Sequence, residues 1–290
     1  MKTNFSYCNL CPNACNVDRS VKKGGCGAGE DLSISKYALH YYEEPIISGT
    51  NGSGTVFFTG CSLRCAFCQN YELSRVLRGK IITPNELADV FKILQDKGAH
   101  NINLVTPSHY TKQIAKALDI YRPNIPIVYN THSYETIENL KIIAPYVDIY
   151  LPDLKFYDSQ ISKRYTGKSN YFEVATEAIN FMMESKKATI ENNVMKQGVI
   201  VRHLILPLCK SDSIKIVKWF SENNKNGAYL SIMSQYTPLI NNETLPELNR
   251  RITKKEYQAV VDTAVELNLE KVFIQDLSSA NEAYVPSWDF

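Results

Sequence analysis

Short apolar runs alternate with amphipathic stretches from residue 55 onward. The runs are rich in Val, Ile, Leu and Tyr and have the length of buried parallel strands. Between them, apolar residues recur at helical spacing, as after Pro84 up to a stop at Gly98. Strands are predicted at 55–60, 101–106, 126–130, 147–152, 198–206, 227–233 and 271–277, and helices between Pro84 and Gly98, near 110–121, 135–145, 172–187 and 212–224, and at 254–267.

This alternation predicts an α/β fold, with a parallel sheet wrapped by helices as a barrel or a doubly wound sheet. Six strand–helix units follow residue 55, fewer than the eight of a full barrel. Residues 1–50 read as a cysteine-rich segment plus a connector, and 51–290 as the main domain with a C-terminal extension. The last residues look irregular, with Trp288 and Phe290 available for packing.

Three cysteines, Cys61, Cys65 and Cys68, follow the first of these strands with x3 and x2 spacing. Three thiolates on one loop suit three irons of a four-iron cluster and leave the fourth iron open to another ligand. An open coordination position is typical of catalytic metal sites rather than structural ones. The alternatives are a zinc loop without its fourth ligand, or three unrelated thiols.

Four more cysteines, Cys8, Cys11, Cys15 and Cys26, lie near the N-terminus. Four thiols in so short a segment fit a tetrahedral sulfur site for zinc or an iron–sulfur centre. The spacing predicts a second metal site and does not distinguish the two metals.

Composition and charge indicate which partners and which cellular compartment to expect. The 32 basic and 30 acidic residues give a net charge of +2, so no general field for nucleic acid or a membrane surface is expected. No apolar run reaches the roughly 18 residues of a membrane span, and the polar start has no signal region. Clustered cysteines in a reducing compartment indicate metal ligands rather than disulfides, so we expect a cytoplasmic protein.

Polar residues follow the predicted strands where a parallel sheet presents its carboxyl ends. Ligands bind at this edge of β/α folds, so the set is expected to line an active site, although a lone histidine there is more often simply hydrogen-bonded. In the fifth strand, Arg202 and His203 point to opposite faces, so only one of them can face the interior. The expected lining residues are Thr106, His109, Asn130, Asp153, Lys155 and Arg202.

The x3–x2 cysteine spacing, with Phe67 just before the last cysteine, resembles the radical S-adenosylmethionine (SAM) superfamily. The resemblance implies a partial (β/α)6 barrel and a [4Fe–4S] cluster on Cys61, Cys65 and Cys68 as the catalytic centre. It also implies that the open iron chelates SAM, that Phe67 lies near its adenine, and that electron transfer cleaves SAM to methionine and a 5′-deoxyadenosyl radical. The electron donor would be of the flavodoxin or ferredoxin type.

Further segments narrow the resemblance to the PflX-type group, which is related to pyruvate formate-lyase activating enzymes. It implies that Asp153 and Lys155 contact SAM and that Arg202 faces the barrel interior. Where activating enzymes carry a Gly-Gly-Glu element, this chain has Thr106-Pro107-Ser108-His109, so the contacts to the SAM amino group must differ. The segments are Tyr7–Pro12, Glu43–Pro45, Gly52–Thr55, Cys68–Tyr71, Asn101–Pro107, Tyr150–Lys155, Val201–Leu204 and Met233–Tyr236.

Three functions stay open at this stage. The first is a radical SAM oxidoreductase that removes hydrogen from a small molecule or a peptide. The second is an activase that generates a glycyl radical on a partner protein. The third is an iron–sulfur electron carrier without SAM chemistry, which would have no use for an open iron or for a ring of polar strand ends.

Overall fold

In the computed structural model, residues 8–239 and 241–279 are described, and the predicted packing of Trp288 and Phe290 lies outside these ranges. The strands are β1 (Ser33–His40), β2 (Ser53–Phe58), β3 (Lys80–Ile81), β4 (Ile102–Val105), β5 (Ile127–Thr131), β6 (Ile149–Pro152), β7 (Thr189–Glu191), β8 (Val194–Leu204), β9 (Tyr229–Met233) and β10 (Val272–Ile274). The helices are α1 (Pro45–Ser48), α2 (Pro84–Asp96), α3 (Thr111–Ile120), α4 (Ile137–Ile143), α5 (Ser159–Thr166), α6 (Tyr171–Ser185), α7 (Lys210–Asn223) and α8 (Lys254–Glu266).

One mostly parallel sheet organises these elements, in the order β10-β9-β8-β6-β5-β4-β2-β1-β3. Strands β2, β4, β5, β6, β8, β9 and β10 run parallel, which confirms the predicted α/β class and the six units of a partial barrel. Strand β1 pairs antiparallel with both β2 and β3, and β7 pairs antiparallel with β8. Among the described residues, no helix is both long and apolar enough to cross a bilayer.

Local signals explain where several helices begin and end. Thr83 and Glu86 form a reciprocal capping box at the start of α2, with Glu86 N donating to Thr83 Oγ1 over 3.2 Å. Helix α5 was absent from the sequence prediction because its polar sequence contains no apolar run. It begins at Asp158, whose carboxylate accepts two backbone N–H groups, and ends at Gly167 with a φ of 76°.

The connector predicted within residues 1–50 contains a strand, β1, that the sequence analysis did not predict. This strand lies near the sheet edge and is only partly buried, so its sequence lacks the apolar run of the central strands. Strand β1 precedes the domain boundary predicted at residue 50 and β2 follows it, yet the two strands pair along most of their length. The glycines between them do provide turns, since Gly49 and Gly52 have φ values of 50° and 82°.

Alternation along the central strands separates two apolar clusters. Tyr129, Tyr150 and Val201 belong to the main core, which also includes the buried faces of the helices. Val128, Ile149 and Ile200 point to the opposite face, where they pack with Ile47 of α1 in a smaller cluster. That smaller cluster forms the apolar floor beneath the carboxyl ends of the strands.

Candidate active site

A cavity lies above this floor, at the carboxyl ends of the parallel strands. Asn130, Asp153 and Arg202 share the strand faces of Val128, Leu151 and Ile200, so the same alternation aims them into it. The space inside the cavity and its mouth is about 1110 Å³. Its walls are formed by His40, Tyr42, Glu43, Phe57, Cys61, Cys65, Phe67, Cys68, Gln69, Asn70, Val105, Thr106, Asn130, Thr131, His132, Asp153, Lys155, Arg202, Leu204, Met233 and Gln235.

The loop with Cys61, Cys65 and Cys68, called the cluster loop below, forms one side of the cavity. Backbone bonds fix it at both ends, because Cys61 N donates to Cys26 O over 3.0 Å and Ala66 N donates to Tyr165 O over 2.8 Å. Tyr134 N donates to Nδ1 of His132 over 3.0 Å, so the proton of this imidazole lies on Nε2. That nitrogen donates to Ser62 Oγ over 2.9 Å and thereby holds the middle of the loop.

The three thiols of the cluster loop fit the ligand set of an iron–sulfur cluster. They are free cysteines that line one cavity, and Cys61 accepts backbone hydrogen bonds from Leu63 and Arg64. Ser74 Oγ donates to Cys68 Sγ over 3.3 Å. Hydrogen bonds to sulfur are one of the means by which proteins tune such clusters.

The protonation state of these thiols depends on whether they hold a metal. Burial raises the pKa of Cys61 to about 11, and burial also raises the pKa of Cys65. Both are therefore neutral thiols at pH 7 until a bound metal displaces their protons. The predicted ligands on this loop are three cysteines. A four-iron cluster bound by them would therefore keep its fourth iron open to another ligand.

Opposite the cluster loop, a buried network of charges lines the cavity. Arg202 donates from Nε to Asp153 over 2.9 Å, from one terminal nitrogen to Glu43 over 3.1 Å, and from the other to Asn130 over 2.6 Å. Lys155 Nζ donates to the second Asp153 oxygen over 2.7 Å. Asn103 Nδ2 donates to Glu43 over 2.9 Å.

Buried neighbours also fix the backbone that carries this network. Tyr171 donates its hydroxyl hydrogen to Asp153 O over 2.8 Å and accepts from Lys155 N over 3.0 Å. Leu154, between the two charged residues, is fully buried in the main core. Asp153 and Lys155 are therefore presented to the cavity on one face by a rigid support.

The charges of the network shift one another's pKa values. Burial alone would raise the pKa of Asp153, but the Arg202 and Lys155 charges hold it below its ordinary value. Burial would lower the pKa of Lys155, and the Asp153 charge raises it instead. Burial raises the pKa of Glu43 in spite of the nearby Arg202. The site thus keeps an ionised Asp153, a charged Lys155 and a charged Arg202 at neutral pH.

The structure brings most of the predicted residues of the main site to this cavity. The cluster cysteines, Phe67, Thr106, Asn130, Asp153, Lys155 and Arg202 all line it. Phe67 packs edge to face with Phe156, Tyr165 and Tyr236, with ring centroids 5.8, 6.2 and 6.5 Å apart. Thr106 has a φ of 56°, a left-handed conformation that is strained for a β-branched residue.

His109 is the predicted residue that does not line the cavity. It is buried behind the wall, where its Nε2 donates to Thr59 O over 2.7 Å and its ring packs on Tyr110. The turn at Thr106 carries the chain away from the cavity before His109 is reached. His203 is likewise buried outside the cavity, with Nδ1 donating to Leu154 O over 2.7 Å, whereas Arg202 faces in.

Glu43 and His132 also line the cavity, although neither is among the lining residues predicted from the sequence. Glu43 reaches Arg202 because β1 returns antiparallel beside β2 and leads the chain to the cavity wall. The Glu-Glu-Pro run at the start of α1 is the sequence feature that could have indicated Glu43 as a site residue. In the sequence alone, this run is equally typical of a solvated loop. His132 follows the predicted strand at 126–130, but its bond to Ser62 joins residues that are far apart in the chain.

The sequence of this chain matches known proteins over the residues that form the cavity. Residues 55–198, which hold the cluster loop, Asp153 and Lys155, match the sequence profile of the radical SAM superfamily. These residues form a radical SAM domain. An uncharacterized protein of Methanocaldococcus jannaschii is 29% identical over 281 residues, covering 94% of this chain and 78% of that protein.

Solved radical SAM structures share the fold at low identity. Streptococcus suis SuiB bound to the precursor peptide SuiA superposes with a TM-score of 0.52 and 12% identity, over 76% of this chain and 48% of SuiB. The protein anSMEcpe with bound AdoMet (SAM) and a Kp18Cys peptide superposes with a TM-score of 0.51 and 15% sequence identity, over 74% of this chain and 60% of anSMEcpe. The chain thus spans about half of SuiB, and these likenesses concern the fold alone.

Proposed function

We propose that this protein is a radical SAM enzyme that cleaves SAM reductively and removes a hydrogen atom from a small molecule or a peptide. The observation that carries the proposal is that Cys61, Cys65 and Cys68 line the same cavity as the Asp153–Lys155–Arg202 network. Cys61, Cys65 and Cys68 would hold a four-iron cluster, which would supply the single electron that cleaves SAM to methionine and a 5′-deoxyadenosyl radical. A carrier of electrons alone would not need this polar cavity.

The residues of the chain bind and orient SAM in this proposal. Asp153 takes one of the three donor positions of the Lys155 ammonium, and the others suit the carboxylate of SAM. The Asp153 carboxylate accepts from ribose hydroxyls, and the aromatic group around Phe67 offers an apolar surface to adenine. Arg202 already bonds Asp153, Glu43 and Asn130, so its part is to hold these groups in place.

Two observations favour peptides as possible substrates of this protein. SuiB and anSMEcpe were each crystallised with a peptide, and the cavity of this chain is open at its mouth. The activase hypothesis is the case in which the peptide is a glycine-containing loop of a partner protein. Deoxyadenosine formation stimulated by a low-molecular-weight extract fraction would favour a small molecule, and a glycyl radical signal in the protein fraction would favour an activase.

The test uses full-length protein, purified and reconstituted without oxygen. Reduced enzyme should show the paramagnetic signal of a four-iron cluster that changes when SAM is added, and it should release 5′-deoxyadenosine. Replacing Cys61, Cys65 and Cys68 by Ala should abolish both results. Cys209→Ala, which removes a buried thiol outside the cavity, is the control and should change neither. Deoxyadenosine formation by the triple variant would refute the proposal.

A further inference from the structure

The four N-terminal cysteines lie together in space, in a segment that the radical SAM match does not cover. Tight backbone turns gather them, with Cys8 N donating to Val17 O over 2.9 Å and Ala14 N donating to Cys11 O over 3.0 Å. Cys11 and Cys26 are buried. A Cβ atom at Gly24 would lie 3.5 Å from Cys26 Sγ and 3.8 Å from Cys15 Sγ, so these two sulfurs flank one point.

Backbone N–H groups already point at the sulfurs of this group. Gly25 N donates to Cys15 Sγ over 3.2 Å. Cys11 and Cys26 accept backbone hydrogen bonds from Asn13 and Ala28. Such bonds stabilise thiolates. In the cluster loop, Cys61 likewise accepts from backbone N–H groups, and Cys68 accepts from the Ser74 hydroxyl.

A single ion and an iron–sulfur cluster require different distances between their cysteine sulfurs. A tetrahedral zinc ion with bonds of about 2.3 Å requires sulfurs roughly 3.8 Å apart. Within 8–239 and 241–279, no three His, Cys, Asp or Glu side chains are gathered closely enough for one ion. This holds equally for the cluster loop, whose thiols in this superfamily ligate several irons. In forming no such single-ion site, the described N-terminal thiols are like those of the cluster loop, and this likeness favours a cluster over zinc.

We propose that Cys8, Cys11, Cys15 and Cys26 bind a second iron–sulfur cluster, which stabilises the N-terminal segment against the cluster loop. The two sites are in direct contact: Cys61 N donates to Cys26 O over 3.0 Å, and Asn13 Nδ2 donates to Ser62 O over 2.7 Å. Arg64 also donates to Gly25 O over 3.2 Å.

A bound cluster explains how so small a segment can be ordered. Within its described part, residues 8–32, Ala28 and Leu32 are the buried apolar side chains besides the cysteines. A metal site supplies folding free energy directly. Because Cys26 O accepts from Cys61 N, the segment that the second cluster stabilises lies directly against the cluster loop.

The experiment is iron and sulfide analysis of full-length protein reconstituted without oxygen. Cys8→Ser/Cys11→Ser should lose the irons of one cluster, about two to four per chain, and should keep the paramagnetic signal that responds to SAM. The variant lacking Cys61, Cys65 and Cys68 should keep those irons and lose that signal, whether or not the enzyme cleaves SAM. Cys209→Ser is the control with unchanged iron.

Two results would overturn the proposal. One is about one zinc per chain in place of the second set of irons, lost in the Cys8→Ser/Cys11→Ser variant. The other is a variant without Cys61, Cys65 and Cys68 that folds and binds no iron at all. Neither result bears on SAM cleavage at the first cluster.

Discussion

Arg202 is held between two carboxylates deep in the cavity, with Glu43 at 3.1 Å and Asp153 at 2.9 Å. Its side chain is 12% exposed and that of Glu43 is 11% exposed, so water screens this network weakly. A planar guanidinium can bond three partners in one fixed arrangement, which a lysine ammonium on a flexible stem cannot. The identity of residue 202 therefore affects the position of every group it touches.

We expect Arg202→Lys to reduce deoxyadenosine formation at least about tenfold, equivalent to about 1.4 kcal/mol of transition-state stabilisation, while iron content stays normal. The physical reason is the loss of the fork that joins Asp153, Glu43 and Asn130. The matched control is Arg122→Lys, since Arg122 pairs with Asp148 at 40% exposure and should leave turnover unchanged. Equal turnover in both variants would exclude a role for the fork.

Asp153→Asn and Lys155→Met should each weaken SAM binding at least about tenfold without lowering the iron content. Each change removes one member of the 2.7 Å pair and one charge that we assign to SAM. Equilibrium dialysis with reconstituted protein measures the affinity. The control is Lys225→Met, which breaks a surface pair with Glu184 at 44% exposure. Unchanged SAM affinity in the first two variants would remove these residues from the site.

At the scale of single elements, the alternation along β8 separates a cavity residue from a core residue. Arg202 points into the cavity, and His203 points into the helical layer, where it donates to Leu154 O over 2.7 Å. Burial lowers the pKa of His203 to about 4, against an ordinary value near 6.5. Between these two pH values the unfolded chain binds a proton that the folded chain does not, so His203 makes stability fall as pH falls.

We expect His203→Gln to lower the free energy of unfolding at pH 7 by about 1–3 kcal/mol, because a buried hydrogen bond is lost. It should also make the fall in stability between pH 6.5 and 4 less steep, by up to about 1.4 kcal/mol per pH unit. Urea unfolding across this range measures both effects. Lost turnover in a variant of normal stability and unchanged pH slope would mean that His203 faces the substrate instead.

At the scale of the whole molecule, one set of parallel strands supports both halves of the site. The cluster loop follows β2, and the charged network comes from β6 and β8, with Glu43 arriving after β1. A ligand that contacts both halves links strands from across the sheet. Its binding free energy therefore adds to the stability of the entire fold.

SAM at a hundredfold excess over its dissociation constant should stabilise reconstituted protein by about 2.7 kcal/mol, a rise in the unfolding temperature of roughly 5 °C. The same addition should leave the variant without Cys61, Cys65 and Cys68 almost unchanged, because the open iron is missing. Scanning calorimetry without oxygen measures the shift and requires no knowledge of the substrate. An equal shift in both proteins would show that SAM binds independently of the cluster loop.

Sequence alone determined those features that depend on neighbours along the chain. The spacing of Cys61, Cys65 and Cys68 is set within one loop, and the six central strands follow from apolar runs that must be buried on both faces. The choice of Arg202 over His203 as the inward residue came from the family resemblance. Alternation within a strand was enough to place these two residues on opposite faces, and Asp153 and Lys155 on one face. These inferences needed only local geometry and the rule that parallel strands end at a common edge.

Only the tertiary structure decided features that rest on contacts between distant residues. Strand β1 has a weak pattern of its own and forms because β2 and β3 pair with it, which is what carries Glu43 to Arg202. The left-handed turn at Thr106 directs His109 away from the cavity. The physical reason is the same in both cases: pairing, burial and turn direction depend on the partners that folding supplies, which a local pattern does not contain.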